Sequence, residues 1–448
     1  MDFIEACRKI ISLESTPENG NKEVAEFASD LCRQQGMEVE IFSEYSGDIE
    51  QANIIARFDK TRPMTEFLLQ NHLDTVSPGP YQLWEKTGLN PFDSSIEDGR
   101  IYGLGAAEVK LDFICKLQAL SHFKNEKNWK LPPVLLGTFG EESGMQGALK
   151  VIRKNLVSPK MALIAEPSNM NLIYAGKGHA SVEILIHFSQ EEMAYRQEHR
   201  LRESTATQSK FFHGKAAHSS TPESGESAIK KMLDYVQQLP DNAAIIELDG
   251  GTNHNTVPSH ALLEIDLLPS MQFPILKKIN AIHRALLNLE KEFVLFQDTE
   301  FTPSHPTLNI GLIRTYDDHI LFTGSCRIPP IITHSIYEAW MEDLRQLCEK
   351  NQALFRILDY KKPFRTSTNS ILVKGCMDEL KTIHPQAQLM TQASTNEASL
   401  FSRLGIDCVC FGPGERDGNI HTPFENVKVD DLHKSVLFYK QILQRFCL

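Results

Sequence analysis

Imidazole and carboxylate recur wherever an apolar run of this chain stops. Phe67-Leu68-Leu69-Gln70-Asn71 leads into His72 and Asp74. The run Val134–Phe139 is followed by Glu141 and Glu142, Met161–Ala165 by Glu166, and the apolar run 406–411 by His421 a few residues on. Such a set without cysteine suits zinc, cobalt or manganese. It holds more acids than one tetrahedral ion needs, so two ions sharing a carboxylate is the expected count. Taken singly, these residues are ordinary: a strand-end histidine usually only hydrogen-bonds, and a Glu-Glu pair before a helix suits the helix dipole. Four separate run ends carrying them is what implies a site.

The elements that must position them alternate. Helices are expected near 1–12 and 21–36, with Met145, Ala148, Leu149 and Ile152 marking another. Short strands are expected at 38–42, 53–58, 66–70, 134–139 and 161–165. The pattern returns with a helix near 370–384, a strand at 406–411 and a helix at 430–446. This predicts an α/β fold, a mixed-sheet domain with helices on both faces. In open α/β sheets ligands bind outside the carboxyl ends of the strands, where these residues lie.

Between 177 and 363 the texture changes to half-buried strands (VEILIHF, LLEIDLL, ILFTGSCRI) with helices near 224–238, 274–292 and 334–350. The charged stretch QEEMAYRQEHRLRES reads as a solvated helix. HALLEIDLLPS and HILFTGSCRIPP are each a strand ending in proline with a helix after it, which suggests a repeated β/α unit. The expected organisation is residues 1–176 with 364–448 as the metal-binding domain. An α+β domain at 177–363 would be inserted in it, as two halves at about 177–290 and 300–363.

At 448 residues the chain is long for one core. Its formal net charge of −12 argues against a nucleic-acid or anionic-membrane partner, which would want a basic face. No apolar run approaches the ~18–20 residues of a membrane span. Phe3, Ile4, Cys7 and Ile11 mark an amphipathic N-terminal helix rather than a secretory signal. Nine cysteines with no C-x-x-C pair fit a reducing, cytoplasmic setting without a disulfide framework.

The run ends sit inside motifs. His72-Leu-Asp74-Thr-Val matches H-x-D-x-V, and Tyr102-Gly-Leu-Gly-Ala-Ala-Glu108-Val-Lys110 lies where Y-G-R-G-x-x-D-x-K is expected. Gly140-Glu141-Glu142-Ser-Gly144 matches D-E-E-x-G, and Glu166-Pro-Ser matches E-P-T. Gly214-Lys-Ala-Ala-His218-Ser-Ser matches G-x-x-A-H-S-x, and Asn255-Thr-Val-Pro258 matches N-x-V-P. Gly412-Pro-Gly414 with His421-Thr-Pro-Phe-Glu425 matches G-P-G and H-x-P-x-E. Over nearly its whole length the chain resembles the co-catalytic zinc amidohydrolase family of carboxypeptidase G, aminoacylase, acetylornithine deacetylase, succinyl-diaminopimelate desuccinylase and the bacterial dipeptidases.

The resemblance implies roles. His72 and Glu166 would hold one ion, Glu142 and His421 the other, with Glu108 bridging. Asp74 would orient His72, and Glu141 would be the general base. His218 and Asn255, from the lid domain, would meet the oxyanion. Three positions depart from the pattern: Glu108 stands for the bridging aspartate, Gly140 for an acid, and Leu268 where single-lid members place arginine. Thr307-Leu-Asn-Ile-Gly-Leu and Gly324-Ser-Cys-Arg327 resemble the second half-lid of the dipeptidase members, so Arg327 would grip a substrate carboxylate instead. One chain would then complete its own site, as a monomer or a homodimer. The expected activity is metal-dependent hydrolysis of a dipeptide or N-acyl amino acid. The alternative is a non-catalytic amino-acid or peptide binder with a degraded metal site.

Overall fold

The computed structural model describes residues 1–59, 62–201, 206–268 and 272–448. Within it the chain forms two compact units: Met1–Ala175 with Phe364–Thr391 and Asn396–Leu448, and Gly176–Pro363 with Gln392–Thr395. The short return of 392–395 to the inserted unit has no marker in the sequence.

In the first unit the strands Pro133–Thr138, Glu66–His72, Pro159–Ala165 and Asp407–Phe411 lie side by side in that order, all parallel. Parallel strands covered on both faces read as unbroken apolar runs, which is why these segments lack polar alternation. Leu68, Val134, Leu136, Ala162, Ile164, Cys408 and Cys410 project to one face, packed against Gln146–Arg153 and Ala398–Phe401. Their neighbours face the other way. Phe67 stacks on Phe446, and Phe411 packs on Phe438 and Tyr439 of the helix Val429–Cys447. Ile49–Arg57 joins Pro133–Thr138 antiparallel, Glu38–Ser46 flanks it, and Leu172–Gly176 extends the other side. The result is a mixed nine-stranded sheet between helices. Its four parallel strands deliver His72, the Glu141–Glu142 turn, Glu166 and the loop to His421 from one edge.

Helix starts follow local chemistry. Asp2 and Glu5 close a capping box on Phe3–Ile11, and Ser370 caps Ile371–Ile383. Glu66, at the start of its strand, is buried against Arg57 at 2.6 Å and accepts from the Ser158 amide at 2.7 Å, anchoring the end of the strand opposite His72.

The second unit is built on a seven-stranded sheet. Its order is Gln208–His213, His260–Leu267, Ala243–Gly250, Thr307–Thr315, His319–Ile328, Gly178–His187, Ala353–Lys361. The helices Ala228–Val236, Pro274–Phe293 and His334–Lys350 supply Ile229, Met232, Ile279, Ile282 and Trp340 to its core. The sheet does not divide into consecutive halves at 290–300. Gly178–His187 is hydrogen-bonded along its length between His319–Ile328 and Ala353–Lys361, while the block 208–267 joins the rest at Gly250 and Ile313. The repeat read from HALLEIDLLPS includes Pro269 and Ser270, outside the described residues.

The charged stretch from 190 is a helix over Gln190–Glu198, but two of its charges are buried. Glu192 accepts from the amides of Ser189 and Ile275, and Arg196 lies 4.0 Å from the Phe188 ring centre and bonds the Ile245 carbonyl. Residues 202–204 of the stretch lie outside the described residues. All nine cysteines are buried free thiols. No described helix is long and apolar enough to cross a membrane.

Candidate metal centre

The centre is assembled from turns that are each pinned by a buried carboxylate. Asp74 accepts the Glu141 amide on one oxygen and the Glu142 amide on the other, both at 3.1 Å. The carboxylate expected to orient His72 thus also holds the Glu141–Glu142 backbone. His72 Nδ1 lies 3.1 Å from the Asp74 main-chain oxygen and 3.7 Å from its carboxylate. With Nδ1 turned to Asp74, Nε2 is the nitrogen left for a ligand. Glu425, 1% exposed, does the same for the next loop, accepting the amides of Ala107 at 2.9 Å and Glu108 at 3.1 Å. Lys110 is fully buried and donates to the Leu13 carbonyl at 2.7 Å, fixing the start of the helix Lys110–Ser121.

These constraints bring Glu108, Glu142 and His421 together, with donor atoms all within 4.8 Å of one another. His421 Nε2 lies 3.1 Å from Glu142 Oε1 and 2.5 Å from Glu108 Oε2. Glu108 Oε2 is buried and out of hydrogen-bond alignment despite that approach. A buried oxygen with no hydrogen-bond partner, in a group of two carboxylates and an imidazole, is a donor set that suits a cation. His72 and Glu166 do not enter the same group. Glu166 is 4% exposed and meets Arg416 at 3.4 Å.

Charge at the centre is unbalanced. Burial, opposed by His72 and reinforced by the carboxylates of Glu142, Glu166 and Glu397, pushes the Glu141 carboxyl well above its usual range. Burial and Glu108 raise Glu142. His421, although desolvated, is carried up to about 11 by Glu108 and Glu142. A set that drives carboxyls to take protons and imidazoles to keep them is one whose charge a divalent cation would neutralise. The donor chemistry and the misaligned Glu108 oxygen therefore fit a metal.

One departure from the motif pattern acquires physical meaning. Gly140 adopts φ +65°, a conformation that aspartate also tolerates better than most residues, so the backbone turn is preserved. Asp112, the other acid near Glu108, is excluded as a substitute ligand. It is buried against Lys116 at 2.8 Å and accepts the Tyr439 hydroxyl.

Sequence reading missed three groups here. Glu397 is 1% exposed and accepts from Thr138 and Gln70; burial first, then Asp74 and Glu166, push it up to about 8 against His72 and Thr138. Arg416 and Glu425 complete the set. Glu425 stood in the H-x-P-x-E motif and could have been found there. Glu397 carried no signal, since its partners are remote in sequence.

In the second unit, Arg327 is 5% exposed, with Nη2 3.4 Å from Ser219 Oγ and 3.5 Å from Asn255 Oδ1. His179 stands opposite Arg327 on one neighbouring strand pair and opposite Lys361 on the other. Burial, then Arg327, hold the His179 imidazole down at about 2, so it is neutral beside two cations. His218 Nδ1 accepts the Ser220 amide at 3.2 Å, which places its proton on Nε2. Leu268, where an arginine was expected, packs against the core of this unit.

The curated relatives match at full length. A probable succinyl-diaminopimelate desuccinylase of Staphylococcus aureus is 23% identical over 423 residues, covering 92% of this chain and 91% of that one. An acetylornithine deacetylase of Myxococcus xanthus is 22% identical over 452 residues, covering 98% and 96%. Among solved structures, the aminoacylhistidine dipeptidase of Vibrio alginolyticus shares the fold at a TM-score of 0.65 and 16% identity, over 99% of this chain and 96% of that one. The sequence model of one family spans residues 68–445, every strand end of the metal centre included. With His72, Glu108, Glu142, Glu166 and His421 all inside that span, the chain belongs to peptidase family M20/M25/M40.

Proposed function

We propose that the chain is a metal-dependent amidohydrolase cleaving the amide bond of a dipeptide or N-acyl amino acid that bears a free carboxylate. The observation that carries this is the convergence of Glu108, Glu142 and His421 next to Glu141, a carboxylate whose backbone shares an anchor with that of Glu142. Glu108, Glu142 and His421 would hold one divalent ion, and His72 with Glu166 a second, zinc before cobalt or manganese for this donor set. Bound there, such ions polarise a carbonyl and acidify water.

The chain's own groups do the rest. Glu141 takes a proton from the attacking water at its carboxylate and returns it to the departing amine, a task suited to a carboxyl held above its usual range. Asp74 keeps Glu141 and Glu142 in register by holding both amides. His218, with its proton on Nε2, serves as donor to the developing oxyanion, assisted by Asn255. Arg327, with neutral His179 opposite it on the neighbouring strand, suits a substrate carboxylate.

The test is a panel of dipeptides and N-acyl amino acids, each paired with its carboxamide counterpart, assayed on metal-depleted and metal-reloaded protein. Hydrolysis should need metal and be confined to the free carboxylates. Reloaded protein that cleaves nothing on the panel would overturn the enzyme reading in favour of a binding protein. Asp74→Asn should weaken metal affinity by roughly 10–100-fold, the usual cost of disturbing a ligand's support. Its amide nitrogen cannot accept the second of the two N–H groups. Metal titration with circular dichroism separates this from unfolding, and unchanged affinity would remove Asp74 from the site's support.

A further inference from the structure

We infer that the second unit carries a separate transition-metal site formed by His187, Asp318 and His319. Their donor atoms all lie within 4.8 Å of one another. His187 and His319 are register partners across adjacent antiparallel strands, and residues directly opposite in such a pair share one face of the sheet. Their ring centres are 5.7 Å apart. Asp318 comes from the turn that leads into His319 and lies 2.7 Å from His319 Nδ1.

The backbone under the three ligands is held in place from outside the cluster. The Phe188 amide donates to the Asp318 carbonyl at 3.1 Å, tying the turn to the end of the neighbouring strand. Lys278 Nζ donates to the His187 carbonyl at 2.8 Å, so its charge is directed to the main chain rather than to the imidazole. Tyr316 stacks on His319 with ring centres 4.7 Å apart, which fixes the plane of that ring. Asp318 is mostly exposed and His319 is 18% exposed at its side chain, so water can complete the coordination sphere.

Two imidazoles and one carboxylate form a borderline donor set that selects zinc, nickel or copper over magnesium and calcium. Tetrahedral ligands at zinc bond lengths are about 3.4 Å apart, close to the spacing of these three donors, which all lie within 4.8 Å of one another. The same sheet holds a built-in comparison. His213 and His260 are also register partners, but no carboxylate joins them in a three-ligand group among the described residues. The three-ligand group therefore should bind where the bare histidine pair does not.

The site stands apart from the amidohydrolase reading and is tested without turnover. Tag-free, metal-depleted protein is given only the two equivalents of zinc that its five-ligand catalytic centre takes, and is then titrated with Ni²⁺ by calorimetry. Three chains are compared: the wild type, His187→Ala/His319→Ala and His213→Ala/His260→Ala. The wild type and the His213/His260 variant should take up one equivalent of Ni²⁺ that the His187/His319 variant does not. Thermal unfolding should rise with Ni²⁺ in the first two alone. Asp318→Asn, which keeps the fold's size and shape, should weaken that equivalent at least several-fold. The inference is overturned if the wild type binds no added Ni²⁺, or if the His187/His319 variant retains it.

Discussion

Glu141→Gln is expected to lower kcat by roughly 10²–10⁴-fold, the span usual for loss of a positioned base, with metal content and fold unchanged. Glutamine keeps the volume and the main-chain amide that Asp74 holds, so only the proton-accepting oxygen is removed. The pH profile gives a second reading. Burial and the neighbouring carboxylates hold the Glu141 carboxyl above its ordinary range, so the active base form appears as pH rises through that raised value. Wild-type kcat/KM should therefore show an acid limb, rising toward neutrality, and the glutamine variant should lose it. Activity within a few-fold of wild type, with the acid limb intact, would take Glu141 out of the mechanism.

That a test can be aimed at Glu141 at all reflects what the sequence makes visible. Parallel strands covered on both faces leave continuous apolar runs, and the polar residues that interrupt them mark their carboxyl ends. His72, Glu141, Glu142 and Glu166 were legible for that reason. Glu397 was not, because its contacts with Thr138 and Gln70 exist only once the strands pair. Long-range partners of three visible residues were not legible for the same reason. Asp74 was expected to serve its near neighbour His72, and its carboxylate also meets the amides of Glu141 and Glu142, remote in sequence. Glu192 and Arg196 looked solvated in a charged helix, but Ile275 and Ile245 reach them from distant elements. The three-stranded sheet of Ser95–Glu97, Arg100–Tyr102 and Asn426–Lys428 has strands too short to show any period. Local chemistry is written along the chain, whereas long-range partners are written nowhere in it.

One such partner links the stability of the first unit to the geometry of its centre. Lys116, fully buried on the helix that follows Glu108, donates to the Gln70 carbonyl at 2.6 Å and pairs with Asp112 at 2.8 Å. Asn71 Oδ1 is 3.3 Å away, so the ammonium ties that helix to the strand ending in His72. Lys116→Met should destabilise the protein by about 3–5 kcal/mol, the cost of leaving a buried carboxylate without its cation. The loss should depend on pH. Burial already raises the Asp112 carboxyl, and removing Lys116 raises it further, so the folded variant binds a proton that the unfolded chain has released above about pH 4. Stability then falls as pH rises from there through the raised folded pKa, and the deficit is smallest in acid. Lys116→Met/Asp112→Leu removes both charges and should recover most of the deficit, leaving the Tyr439 hydroxyl as the group that loses its acceptor. Urea unfolding at two pH values decides the matter. A single variant as stable as wild type, or a double variant no better than the single, would mean that the ion pair does not hold this helix to the His72 strand.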